Sequence, residues 1–253
     1  MAGSLAALAP TETIDDERRK LQATLSRYPA QNQFNIDETG LNICIGIDRG
    51  LATHALPGLK ADKTHLTYAL CTSAVGEKLP PLVIGHAMRP RCFTNGPPAD
   101  YGYDYKSNKK AWMRMDIWQD WLFRLNASMQ QQDRHIVLLC DNASSHSHDP
   151  AAYSHIKVVF LPPNLTAWLQ PMDAGIIRNF KGHYRQLLTR HALDLDAQGV
   201  ANPYKVDQLQ AMRLADCAWQ AVSATTIQNC WHHTGICPDT VGDVAAMLAQ
   251  IHI

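Results

Sequence analysis

Apolar residues recur along this chain in two rhythms. Trp118, Trp121, Leu122, Leu125 and Met129 stand at i, i+3, i+4, i+7 and i+11, the stripe that an amphipathic helix buries. The stretch "AWMRMDIWQDWLFRLNASMQ" is therefore predicted helical over 111–130. A second helix is expected over 174–193, with Ile176, Ile177, Phe180, Tyr184, Leu187 and Leu188 as its core face. In "IDDERRKLQATLSRY" the residues Leu21, Leu25 and Tyr28 repeat at helical spacing, behind acidic residues that suit a helix N-terminus. The last fifty residues alternate helical signals such as "QLQAMRLADCAWQAV" with polar breaks.

The second rhythm is that of strands. "QFNIDETG" reads as a short strand ending on Asp37, and "THLTYALCTSAVG" as a strand closed by a turn at Gly76. "LPPLVIGHA" is a further extended run, which Pro80 and Pro81 place at a sheet edge or a strand start. "HIVLLCD" and "IKVVFLP" are continuous apolar runs, as expected of buried strands. "LNICIGIDRG" fits a strand or an irregular connection, and 92–109, rich in Gly, Pro, Asn and Asp, reads as a long loop. Strands, helix, strand, strand, helix and helical tail, in that order, predict an α/β fold: a mixed sheet with helices on both faces.

Composition narrows the class. The 253 residues are 46% hydrophobic, enough for a substantial core, and 23 basic side chains balance 23 acidic ones. A globally basic nucleic-acid binder is not indicated, so any such surface must be local. The 7 cysteines are scattered without a CxxC pair, which reads as a reduced intracellular protein. The N-terminus makes a poor signal peptide. No apolar run approaches the ~20 residues of a membrane span, and no membrane partner is expected.

The candidate chemistry lies in aspartates that end or interrupt apolar elements. Asp37 follows "FNI", Asp141 follows "VLLC", and Asp173 stands in "LQPMDAGIIRNF" at the start of a helix. A carboxylate at a buried strand's end costs desolvation free energy unless something pairs with it. A helix cap or turn is one answer and a metal is another. On a helical wheel Asp173 points near Phe180 and Tyr184, so all three acids can project towards one sheet. Three converging carboxylates repel, and a hard divalent cation, Mg²⁺ or Mn²⁺, resolves the repulsion.

Six segments occur here in order: "FNIDETGL", "GEKLPPLVIGHAMRPRCF", "AWMRMDIWQDWL", "VLLCDNASSH", "KVVFLPPNLTAWLQPMDAGIIRNFKGHYR" and "IQNCWHHTGI". Together, from about Leu21 to Ile236, they resemble the DDE superfamily endonuclease domain of pogo and Tigger-like transposases, a group that includes jerky-like proteins and centromere protein B. The resemblance implies a ribonuclease H-like sheet with a helical C-terminal tail, and three acids holding two metal ions. By its motifs the acids are Asp37 in "DETG", Asp141 in "DN" and Asp173 in "QPMDAG". Glu38, on the opposite sheet face by strand alternation, is expected to be structural. The implied reaction is Mg²⁺-dependent cleavage of DNA followed by strand transfer, in the nucleus. DNA is the expected partner, and a second copy of the chain a further one. The expected division is a disordered tail over 1–20, the endonuclease domain over 21–240 and the helical tail over 241–253.

Members of that group normally carry two helix-turn-helix units ahead of this domain. Only about twenty residues precede Leu21 here, so sequence-specific targeting is not expected of this chain. "NICIGI" also departs from the aromatic and proline residues usual before the "DRG" turn. Arg178, Lys181 and Arg185 fall at i, i+3 and i+7 on the helix that Asp173 opens, and are the candidate phosphate contacts. Arg89, Arg91, Lys106, Lys109 and Lys110 lie around a Tyr-rich loop, a weaker DNA-contact signal. Cys230, His232, His233 and Cys237 fit no standard zinc spacing. His146 and His148 are expected in a solvated loop, and the tryptophans, mostly at helical core spacing, are read as packing. Two rivals remain: a transposase relic that binds DNA or protein without cutting, and a metal-dependent phosphatase of small molecules.

Overall fold

A computed structural model describes residues 11–43, 65–200, 203 and 205–237. Most of "NICIGI" and the whole of the expected tail over 241–253 lie outside the described residues.

Six strands form one mixed sheet. They are β1 (Gln33–Asn42), β2 (His65–Ser73), β3 (Leu82–Gly85), β4 (Asp104–Ser107), β5 (Ile136–Cys140) and β6 (Ile156–Phe160). Their spatial order is β4-β3-β2-β1-β5-β6. β1 to β2 and β2 to β3 are antiparallel, and β3 to β4, β1 to β5 and β5 to β6 are parallel. Hence β1, β3, β4, β5 and β6 all point their C-terminal ends the same way.

Strand alternation splits the apolar residues into two cores, one per face. Phe34, Ile36, Ala69, Cys71, Leu82, Ile84, Leu138 and Cys140 face α2 (Met115–Gln131), which buries Ile117, Trp118, Trp121, Leu122, Leu125 and Met129. Leu41, Tyr68, Leu70, Val83, Val137 and Leu139 face the other helices. These are α1 (Thr11–Leu25), the short α3 (Thr166–Leu169), α4 (Ile177–Ala197), α5 (Gln208–Ala221) and α6 (Ala224–Thr234). The expected α/β sheet with helices on both faces is the fold observed.

Several boundaries differ from expectation. α1 begins at Thr11, so 11–20 is helical and not a tail. Ile14 extends the buried stripe of Leu21 and Leu25. Arg18 Nε donates to the Thr234 carbonyl at 2.8 Å and Gln22 Nε2 to that of Gly235 at 2.8 Å, pinning α1 to the end of α6. β4 lies inside the expected loop. Its four half-buried residues, "DYKS", carry no apolar signal, and the β3 ladder supplies their pairing. β6 is an edge strand and only partly covered, with Lys157 and Phe160 exposed. α2 starts at Met115, four residues late, because Ala111 has a left-handed φ of 52° that no helix accepts.

Asn35 holds the centre. It is fully buried in β1. Its Nδ2 donates to the Leu139 carbonyl of β5 at 3.0 Å, and its Oδ1 accepts from the Met172 backbone N–H at 2.9 Å. One carboxamide thus ties β1, β5 and the turn that precedes α4. Replacing Asn35 with Leu would strand both backbone groups in the core, at a cost of about 1–3 kcal/mol each. We expect Asn35→Leu to lower the unfolding midpoint in urea at unchanged slope. An unchanged midpoint would mean that water or relaxation replaces both bonds.

Candidate active site

Three acid-bearing segments meet at the C-terminal edge of β1 and β5. The parallel register sets Gln33, Phe34 and Asn35 opposite Val137, Leu138 and Leu139. Carried two residues further, it puts Asp37 abreast of Asp141, just beyond the end of β5 at Cys140. β1 does not stop at Asp37, as the sequence suggested. It continues to Asn42, paired with β2 alone. Asp37 therefore sits mid-strand, beside the gap that β5 leaves as it ends.

The third acid arrives by a different route. Met172–Ile176 is a kinked turn between α3 and α4, in which the backbone leaves helical geometry at Gly175. Asn35 holds its first N–H, and Gly175 lets it approach α6: a Cβ on Gly175 would lie 3.1 Å from Cys230 Sγ. The helical wheel drawn from Phe180 and Tyr184 does not extend into this turn, because the non-helical backbone at Gly175 breaks the 3.6-residue phase. Asp173 is accordingly exposed and not part of the core face. It still reaches Asp37, and the two carboxyls share a hydrogen bond.

The electrostatics follow from that crowding. Burial pushes the Asp37 carboxyl well above the ordinary carboxylate range, and the charges of Asp173, Glu38 and Asp141 push it further. Partial burial also raises Asp173, less strongly, since the bond from Asp37 favours its charged form. Both carboxyls are thus pushed towards their neutral form, Asp37 the more strongly. Lys181 borders the same site: burial lowers its ammonium, while the charge of Asp37 opposes that shift. Arg185 lies next to Lys181, whereas Arg178 leans towards α6 and influences Cys230. Of the three candidate phosphate contacts, only Lys181 lies against the acids.

Sequence reasoning missed a second group, on the α2 face. Glu38, Asp141 and His146 place ligand atoms within 4.8 Å of one another, and they are the only such group among the described residues. His146 is 1% exposed, not solvated. Its ring lies 4.3 Å from that of Trp118. Nε2 contacts Glu38 Oε1 at 3.2 Å, and Nδ1 lies 2.7 Å from Asp141 Oδ1. The Nδ1–Oδ1 contact is an ion pair rather than an aligned hydrogen bond. Nδ1 aligns with the Asp141 backbone carbonyl at 3.2 Å, and Oδ1 is left buried without a hydrogen-bond partner. Burial works against charge on His146, but Asp141, Cys140 and Glu38 outweigh it and hold the ring protonated well above its ordinary range. His146 in turn is the main cause that lowers Asp141, and burial of the carboxyl opposes it. Glu38 is thus part of the site's second layer. No local pattern links it to His146, since the two stand 108 positions apart. Cys230, packed on Gly175, forms no metal-ligating group with His232 and His233.

Asp37, Asp141 and Asp173 present only oxygen donors, two of them raised towards neutrality chiefly by burial and the third already paired with His146, and their ligand atoms do not all lie within 4.8 Å of one another. That donor set fits a hard divalent cation.

The mixed sheet, with acids at the C-terminal edge of its adjacent central strands, is the ribonuclease H-like architecture. Solved structures of similar fold include a pre-cleavage Mos1 transpososome (TM-score 0.52, 12% identity, covering 93% of this chain and 63% of that one) and a Mos1 paired-end complex with Mn (TM-score 0.52, 12% identity, 93% and 63%). The sequence profile described as DDE superfamily endonuclease matches residues 63–231, and the chain belongs to that family. Asp37 precedes the matched span. Similar curated proteins include mouse Major centromere autoantigen B (29% identity over 211 residues, 82% of this chain and 34% of that protein). Mouse Tigger transposable element-derived protein 4 is 32% identical over 219 residues (83% and 41%), and human Jerky protein homolog 28% over 213 (80% and 36%). The chain spans well under half the length of these relatives.

The raised Asp37 carboxyl gives a signed prediction. The folded protein binds the Asp37 proton more tightly than the unfolded chain. That stabilisation is full below the unfolded carboxyl value of about 3.9 and is lost as pH rises through the folded one. Asn in its place keeps the donor to Asp173 and does not titrate. In metal-free buffer, Asp37→Asn should match the parent's melting temperature near pH 4. At pH 7 it should exceed it by roughly 2–4 °C, the shift of about 1 kcal/mol in a domain of this size. Calorimetry in EDTA at both pH values checks this, and a variant less stable at pH 7 would contradict the raised Asp37 carboxyl.

Proposed function

We propose that this chain is a metal-dependent DNA endonuclease domain of the transposase type, with Asp37, Asp141 and Asp173 as its catalytic and metal-holding residues. The observation that carries the reading is their convergence. A mid-strand acid, an acid just past a strand end and an acid at a helix kink lie near enough that the charges of Asp173 and Asp141 act on Asp37, which supports this reading. Mg²⁺ or Mn²⁺ bound there would activate a water and stabilise the leaving oxygen of a phosphodiester. The chain's own groups do the rest. Asn35 fixes the spacing of the three segments, and His146 holds Asp141 against Glu38. Lys181, with Arg178 and Arg185 along the same helix flank, meets the phosphate backbone. DNA as substrate implies a nuclear setting, and a paired copy of the chain is the assembly in which two DNA ends could be handled together.

A second reading has an observation of its own. His146 already supplies Asp141 with a buried cation. One relative is by its printed name derived from a transposable element. A chain that keeps the fold and binds DNA without cutting it is consistent with both.

Two experiments decide. Supercoiled plasmid with Mg²⁺ or Mn²⁺ should be nicked by the parent chain. It should not be nicked by Asp141→Asn, which keeps the shape and removes the charge, with the far-ultraviolet circular dichroism unchanged. Absence of nicking by the parent under both metals, with DNA binding intact, would select the second reading. Binding itself should be weak, indifferent to sequence and salt-dependent. If Arg178, Lys181 and Arg185 each neutralise one phosphate, log K should fall with log[salt] at a slope of about −2.7. Replacing all three with Ala should flatten the slope on two unrelated duplexes alike. Tight, salt-insensitive binding to only one of them would overturn this assignment.

A further inference from the structure

A second surface on the same edge of the sheet is absorbed neither by the acids nor by the α4 flank. β3 and β4 run parallel to β1 and β5, so the segments that follow them, 86–91 and 108–114, emerge on the rim that carries Asp37 and Asp141. The two segments are tied together. His86 Nδ1 meets the Lys109 carbonyl at 3.1 Å, and Tyr105 Oη donates to the Ala87 carbonyl at 2.8 Å. Their charge is one-sided: Arg89, Arg91, Lys109 and Lys110 are exposed and make no ion pair among the described residues.

Among these cations stands Trp112, 61% exposed. An exposed indole usually marks a mobile loop, but this one is held. Asn108 Oδ1 accepts from the backbone N–H groups of Lys110 and Trp112 at 3.1 and 3.3 Å, and its Nδ2 donates to the Trp112 carbonyl at 2.7 Å. Ala111 beside it is fully buried at a φ of 52°. That left-handed conformation is unfavourable for a residue with a Cβ, and such strain persists where the surrounding structure dictates it. Lys110 Nζ lies 5.8 Å from the centre of the indole ring, a cation on one face of an otherwise open ring.

The held loop leads straight into α2. The first turn of that helix carries Trp118, in contact with His146, and Gln119 Nε2 donates to the Ser147 carbonyl at 3.1 Å. Trp112 therefore stands on the approach to Asp141. Three strand spacings, about 14 Å, separate β4 from β1, a gap that a few nucleotides of single strand can bridge.

We propose that Trp112 is a stacking platform for an unpaired base of a DNA strand, and that Arg89, Arg91, Lys109 and Lys110 bind the phosphates flanking it. A preorganised aromatic ring within a row of unpaired cations is the chemistry by which proteins hold single-stranded nucleic acid. In a closed duplex the base faces are already stacked, so the platform selects frayed, nicked or cleaved ends. The proposal rests on the reading of the neighbouring site as one that handles DNA, but it concerns binding alone.

The test uses the full chain in EDTA, so that no chemistry intervenes. Fluorescence anisotropy compares a labelled oligothymidylate with a blunt duplex of equal length. Trp112→Ala should weaken single-strand binding about tenfold and leave duplex binding unchanged, and Trp112→Phe should restore most of the loss. Arg91→Ala with Lys109→Ala should reduce the single-strand salt slope by about 1.4. Because all three side chains are exposed, thermal unfolding of the variants should match the parent. Single-strand binding unaffected by Trp112→Ala, or an equal loss on the duplex, overturns the platform. An unchanged slope overturns the phosphate contacts. A parent chain that fails to nick plasmid while keeping the Trp112 effect sinks the endonuclease reading and not this one.

Discussion

The geometry of the site depends on one buried carboxamide. Asn35 faces the crowded side of the sheet, where β5 is about to end and the Met172–Ile176 turn packs down on it. Its donor grips β5 and its acceptor grips the turn. Each acid lies a step from one of these bonds: Asp37 two residues beyond Asn35, Asp141 two beyond Leu139, Asp173 next to Met172. A purely apolar contact would hold the three segments together without fixing their phase. Hydrogen bonds do fix it, because distance and direction both count. The cluster of repelling carboxylates is thus set by a neutral residue that touches none of its ligands.

The second constraint is electrostatic and lies on the other side of the sheet. Where β5 ends, β1 loses its neighbour, and the short turn Ser144–His146 fills the space above α2. His146 closes it, with Trp118 against the ring and carboxylates at both nitrogens. The two faces treat their acids differently. On one, burial and neighbouring charge push Asp37 and Asp173 towards their neutral form. On the other, Asp141 is paired with an imidazolium. Asp141 belongs to both arrangements, so a change in either reaches it.

Much of this was legible in the sequence, and the failures are specific. α2, α4 and β5 announced themselves because each buries one long continuous face. β4 did not, because "DYKS" gains its order from the β3 ladder and from ion pairs such as Arg124 with Asp104, not from burial. β1 was cut short at Asp37, since a carboxylate inside a strand looks like its end. The three aspartates were named from the wording of the segments around them. Periodicity alone misplaced Asp173 on the buried face of a helix it precedes. Glu38 and His146 could not be paired, as nothing local connects them. Their contact exists only because β1 outruns β5.

β6 carries a further consequence. Among the described residues it closes the sheet on one side with five residues and leaves one row of peptide groups without a partner strand. Such an edge is a template on which a second chain can extend the sheet, and repeated extension is how ordered proteins become fibres. Here the invitation is brief, and Lys157 stands exposed within it. A strand added alongside would have to accommodate an ammonium group. The brevity of β6 and that single charge are features of solubility rather than of chemistry, and they belong to the same sheet that gathers the acids.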